Sequence, residues 1–160
     1  MSLGRLYTMG YEGLNIDDFI VRLKEAGVES VVDVRAIPIS RKKGFSKTAF
    51  SSKLQEAGID YLHIAALGCP KSVRNTYRED GDWNSYTRGF LAYLNTQQQS
   101  VVSLAKLSRS SVSCLVCFEA DFNYCHRSLV ARAAVSFGAA QIAHITRETV
   151  ILEQPAMVAA

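Results

Sequence analysis

The feature that most constrains this chain is its alternation of short apolar runs with stretches of helical periodicity. Leu6 to Met9 is an apolar run closed by a glycine-containing turn, Gly10-Tyr11-Glu12-Gly13. Asn15 is a fair N-cap, because its side-chain oxygen can accept from an unpaired backbone N–H of a helix's first turn. Ile16, Phe19, Ile20 and Leu23 then recur at the i, i+3, i+4, i+7 spacing of an amphipathic helix, with Gly27 as its stop. Val28 to Val34 reads as a second strand. Phe50, Leu54 and Ala57 mark a second helix stopped at Gly58, and Ile59 to Ile64 a third strand. Tyr86, Phe90, Tyr93 and Leu94 mark a third helix, and Val101 to Leu107 a fourth. Val112 to Cys117 is a fourth strand, Leu129 to Phe137 the clearest helix, and Gln141 to Thr146 a fifth strand. Strands that alternate with helices predict an α/β fold, a mostly parallel sheet of about five strands with helices on both faces. Ligands of such sheets bind in the crevice beyond the carboxyl ends of the strands.

With 160 residues the chain suits a single domain, expected over residues 1–153, with 154–160 as a loose tail. No run approaches the length of a membrane helix and the N-terminus lacks a signal-peptide pattern, so a cytoplasmic protein with no membrane partner is expected. Cys69, Cys114, Cys117 and Cys125 are then read as thiols, metal ligands or reactive groups, since a disulfide framework belongs to exported chains. The segment Ala65 to Asp82 is polar and without a clear period, which predicts a long functional loop or lid.

Polar groups gather at the strand ends. Tyr11 and Glu12 come after the first strand, Asp33 and Arg35 end the second, His63 ends the third, and Cys117 and Glu119 end the fourth. Cys117 sits where a strand meets a turn, and Arg127 opens the next helix. A helix N-terminus and a guanidinium favour anions and a thiolate. Cys117, Glu119, His126 and Asp33 are therefore the candidate catalytic groups, as nucleophile and acid or base. Cys117, Cys125 and His126 also carry the atom types that zinc prefers, although their spacing is not that of a zinc finger. Between Asp33 and Glu56 there is no acid, while Arg35, Arg41, Lys42, Lys43, Lys47 and Lys53 all fall there. That local positive field suits phosphate, with Arg35, Arg41, Lys42, Lys43, Arg127 and Tyr11 as candidate anion contacts. Phe45, within the basic run, is a candidate for stacking on a base. Each of these roles has a structural counterpart: an inert buried cysteine, an ion pair at Asp33, a solvated basic loop.

The ordered set Leu6-Tyr-Thr-Met-Gly-Tyr-Glu-Gly13, Val-Val-Asp33-Val-Arg35, Ser40-Arg-Lys-Lys-Gly-Phe-Ser46, Tyr61-Leu-His63, Leu67-Gly68 and Cys117-Phe-Glu119 to Cys125-His126-Arg127 resembles the Domain of Unknown Function 488 family. The resemblance implies a compact bacterial or archaeal α/β domain with one polar cluster built from these blocks. By position it carries over Tyr11, Glu12, Asp33, Arg35, Arg41, His63, Cys117, Glu119, Cys125, His126 and Arg127. It implies no reaction.

Three functions remain open from the sequence. One is an enzyme acting on a phosphorylated, nucleotide-like or nucleic-acid substrate. The second is a non-enzymatic nucleic-acid-binding module that uses the basic loop. The third is a thiol redox or metal-sensing protein using Cys117 and Cys125. No cofactor is required by the sequence, zinc is the one it allows, and it does not give the oligomeric state.

Overall fold

A computed structural model describes residues 4–154; the expected C-terminal tail lies, from residue 155 on, outside them. Among them six strands form one sheet: β1 (Arg5–Gly10), β2 (Ser30–Asp33), β3 (Asp60–His63), β4 (Val112–Cys117), β5 (Ile142–Ile145) and β6 (Val150–Leu152). Their order is β3-β2-β4-β1-β5-β6. The first five are parallel, and β6 returns antiparallel to β5. The expectation of about five strands thus misses one short edge strand. Val150, Ile151 and Leu152 are all exposed and give no alternation of apolar and polar residues to read.

Among the described residues there are six α-helices: α1 (Ile16–Glu25), α2 (Lys47–Glu56), α3 (Lys71–Asp80), α4 (Trp83–Leu94), α5 (Gln98–Ser110) and α6 (His126–Ser136). Asn15 caps α1 as its sequence suggests, accepting from the Asp18 amide at 2.8 Å. Both faces of the sheet are covered. On one, Phe19 and Leu23 of α1 and Phe50 and Leu54 of α2 meet Met9, Val31, Cys114 and Val116. On the other, Phe90, Leu104 and Val130 of α4, α5 and α6 meet Leu6, Val32, Leu115 and Cys117. Successive residues of β4 alternate between the two cores, as the two-residue period of a strand requires.

This topology fixes where a crevice opens. β1 and β4 are neighbours. The chain leaves β1 towards α1 on one face and leaves β4 towards α6 on the other. Adjacent parallel strands whose connections depart to opposite faces leave a gap at their carboxyl ends, the switch point of a doubly wound sheet.

Two sequence expectations are corrected. Ala65 to Asp82 is not an irregular lid: a short 3-10 turn (Ala65–Leu67) leads into α3. The signals were present in Pro70 before the helix, Gly81 after it, and Val73 and Tyr77 four apart. Gly81 takes φ +62°, a left-handed conformation that suits glycine after a helix. α3 escapes the apolar pattern because none of its residues is buried. Phe45 does not offer a stacking face to a base. It is 0% exposed and stacks on Tyr11 at 4.3 Å. Among the described residues, no helix is long and apolar enough to cross a membrane.

Candidate functional site

The crevice between the ends of β1 and β4 holds a cavity of about 530 Å³. Its floor is made by the last residue of β4, the turn after it and the first residue of α6. Cys117 Sγ donates to Glu119 Oε2 at 3.3 Å, and Cys125 Sγ donates to the same oxygen at 3.4 Å. His126 Nδ1 lies 3.7 Å from Cys117 Sγ, while its Nε2 is 2.7 Å from the Val34 carbonyl. A carbonyl can only accept, so Nε2 carries a proton, and in the neutral form of the ring the lone pair at Nδ1 faces the thiol. One ligating atom from each of Cys117, Cys125 and His126 lies within 4.8 Å of the other two.

Backbone contacts hold this turn over the end of β1. The Tyr11 and Glu12 amides donate to the Cys117 and Phe118 carbonyls, and Glu12 Oε1 accepts from the Ala120 amide at 2.9 Å. A Cβ on Gly10 would lie 1.7 Å from the Glu119 carbonyl oxygen, so only glycine lets the turn cross there. Arg127, fully buried, donates to the Glu119 and Ala120 carbonyls. Phe122 stacks on His144 at 3.9 Å, and its carbonyl accepts from Ser128 Oγ at 2.6 Å, which fixes the segment leading to Cys125.

The two thiols titrate as a pair. The hydrogen bond with Cys125 and burial push Cys117 well above the ordinary thiol range. Burial also opposes ionisation of Cys125, but its hydrogen bonds with Cys117 and His126 and the charge of Arg127 outweigh that and bring it well below the range. Glu119 is exposed as a residue, yet its carboxyl tip is turned onto the thiols, and loss of water there together with the Cys125 charge raises its pKa. His126 is raised as well, since burial is overcome by the bond to Cys125 and that thiol's charge.

Arg35 enters from β2. It forks onto Asp33, with Nε 2.9 Å from Oδ1 and Nη2 2.7 Å from Oδ2, and Nη1 reaches the Tyr11 hydroxyl at 3.2 Å. Tyr61 donates to Asp33 at 2.6 Å. His63 Nε2 lies 2.8 Å from the Arg35 carbonyl. Asp33 and His63 therefore orient Arg35 and do not themselves line the cavity. The far wall comes from α3, α4 and the turn before α6. Arg74, Tyr77 and Arg78 lie beside Trp83, Tyr86 and Tyr124. Trp83 stacks on Tyr86 at 4.6 Å, and Tyr124 meets the Trp83 ring edge-on at 5.7 Å.

A family model described as Domain of unknown function DUF488 matches residues 15–134, three quarters of the chain. The chain belongs to the DUF488 family. No curated protein and no solved structure matches it. The DUF488 match contains Asp33, Arg35, Cys117, Glu119, Cys125, His126 and Arg127, and it leaves Tyr11 and Glu12 outside.

The structure brings Tyr11, Arg35, Cys117, Glu119, Cys125 and His126 to one cavity. Arg127 and Glu12 hold the turn beneath it. Arg41, Lys42 and Lys43 do not line the cavity but come directly after Ile39 and Ser40, which do. Sequence reasoning missed Arg74, Tyr77, Arg78 and Tyr124. The first three lie on α3, whose sequence has the look of a loop. Phe118 and Tyr124 sit inside the key segment without a signal of their own, and they are 45% and 54% exposed.

Proposed function

We propose that this DUF488 protein is an enzyme that takes a small molecule bearing a phosphate-class anion and a flat ring, nucleotide-like in outline, and acts on it at the Cys117, Glu119, Cys125 and His126 cluster. The observation that carries the reading is the meeting of that cluster with arginines and aromatic rings in one crevice at the switch point. Arg35, held in place by Asp33, and Arg74 and Arg78 on α3 supply planar donors suited to phosphate oxygens. Phe118 and Tyr124 both line the cavity with exposed rings. Phe118 packs edge-on against Tyr11 at 5.4 Å, and Tyr124 packs against Trp83. A ring laid on either of them gains stacking contact, worth about 1–3 kcal/mol by analogy with base-stacking sites. The basic residues Arg41, Lys42 and Lys43 stand beside the rim and raise the local concentration of an anion without touching it.

A panel of inorganic phosphate, nucleosides and nucleoside monophosphates, read by thermal shift, tests the binding claim. Nucleoside monophosphates are expected to stabilise the protein more than either part alone, and Arg78→Ala to reduce the shift. Cys117→Ser is expected to keep the shift and to lower turnover of the bound compounds by about 100-fold or more. Equal, salt-sensitive binding of long single-stranded nucleic acid by wild type and Cys117→Ser, lost on substituting Lys42 and Lys43, would favour a binding module instead.

A further inference from the structure

We infer that the floor of the crevice is a tetrahedral site for a zinc-class divalent cation, held by Cys117 Sγ, Cys125 Sγ and His126 Nδ1, with Glu119 Oε2 in a fourth, displaceable position. The inference concerns the same cavity but does not depend on which substrate it takes.

The first support is distance. Zinc bonds of about 2.3 Å to sulfur and about 2.0 Å to nitrogen, set at tetrahedral angles, separate two sulfurs by about 3.8 Å and a sulfur from a nitrogen by about 3.5 Å. Cys117 Sγ and His126 Nδ1 are 3.7 Å apart. Glu119 Oε2 stands 3.3 Å and 3.4 Å from the two sulfurs but is not one of the three mutually close ligating atoms, so its side chain must shift to take the fourth position. The second support is orientation. The Val34 carbonyl takes the Nε2 proton of His126, which fixes the tautomer that presents Nδ1. A backbone carbonyl in that role is the usual outer partner of a metal-bound histidine.

The third support is charge. Arg127 is fully buried, and its guanidinium reaches only backbone carbonyls, with Nε left without a hydrogen-bond partner among the described residues. Two thiolates and the Glu119 carboxylate offer three negative charges. A dication together with Arg127 offers three positive ones, so the filled site is neutral. That removes the cost of an uncompensated buried guanidinium. The other two cysteines are set apart. Cys114 faces the opposite core, and Cys69, which lines the cavity just before α3, is not among the three residues whose ligating atoms lie within 4.8 Å of one another. Because the floor opens into the cavity, Glu119 can leave and a water or a substrate oxygen can take its place. An open fourth position of that kind marks a site able to activate water or polarise a ligand.

The test uses the full chain, purified under reducing conditions without chelator. Elemental analysis is expected to find about one zinc per chain. After removal of that metal, Co2+ is expected to bind one per chain and to give the strong visible absorption of a tetrahedral thiolate complex. Cys117→Ser, Cys125→Ser and His126→Gln should each weaken Co2+ binding at least 10-fold, with circular dichroism verifying the fold. Glu119→Gln should keep the thiolate absorption and alter its shape. Cys69→Ser and Cys114→Ser should leave binding unchanged. Zinc-free protein whose reduced thiols give no Co2+ spectrum would overturn the inference. So would binding that survives in the Cys117→Ser, Cys125→Ser double variant, or a Cys117–Cys125 disulfide forming in protein that takes up no metal. These readouts contain no nucleotide, so their failure and that of the thermal-shift panel are separate events.

Discussion

At the level of single residues, charged groups that face the crevice differ in role from those that hold others in place. Asp33 reads in sequence as a candidate base, but four donor groups already occupy its carboxylate. Its work is to aim Arg35. Asp33→Asn is expected to cost about 3 kcal/mol of stability, because it leaves a buried guanidinium unpaired, and to weaken nucleoside monophosphate binding about 10-fold. Chemical denaturation and titration calorimetry measure the two effects. Glu153, which does not line the cavity, makes the same point. It takes a forked contact from Arg132, with bonds of 3.0 and 2.9 Å, and one from His144 at 2.8 Å. Burial works against its ionisation, but those partners outweigh burial and lower the carboxyl to about 2. A lowered folded-state pKa stabilises the protein above the ordinary carboxylate range, and that contribution fades as pH falls from about 4.5 towards 2. Glu153→Gln should therefore cost about 2 kcal/mol at pH 7 and much less at pH 2, as read by denaturation at the two pH values.

Among the elements, the decisive ones are those that let two pieces of backbone meet. Gly10→Ala would place a methyl group against the Glu119 carbonyl, which Arg127 also holds. The turn carrying Glu119 would have to move, and a loss of about 2–3 kcal/mol is expected together with loss of cluster function. An unchanged melting temperature in Gly10→Ala would contradict that geometry. Much of this level was legible in the sequence. Helices α1, α2, α4 and α6 bury apolar residues at helical spacing, and β1, β2 and β4 are short apolar runs, so periodicity reports them. α3 hid because it lies on the surface as a cavity wall: Val73 and Tyr77 pack against the core only half-buried, while Arg74 and Arg78 line the cavity. β6 hid because an exposed three-residue edge strand has no buried face to write into the sequence.

For the whole molecule, the sheet order explains why distant segments form one site. Polar groups stand at four strand ends in the sequence, and the parallel sheet brings those ends to one side. The order of the strands was not legible, because no local pattern states that β4 inserts between β1 and β2. That insertion puts Cys117 beside Gly10 and brings the Val34 carbonyl to His126. The basic loop, by contrast, stays at the rim, since Phe45 is drawn into the core under Tyr11 and turns its neighbours outward. The measurement that tests the central claim most directly is the amide chemical-shift map of the 15N-labelled protein as a nucleoside monophosphate is added. The shifts are expected to gather on Gly10 and Tyr11, on Ala36 to Ser40, on α3, and on Cys117 to His126. Shifts confined to Arg41–Lys47, or centred on β5 and β6, would contradict a working site in the crevice between β1 and β4.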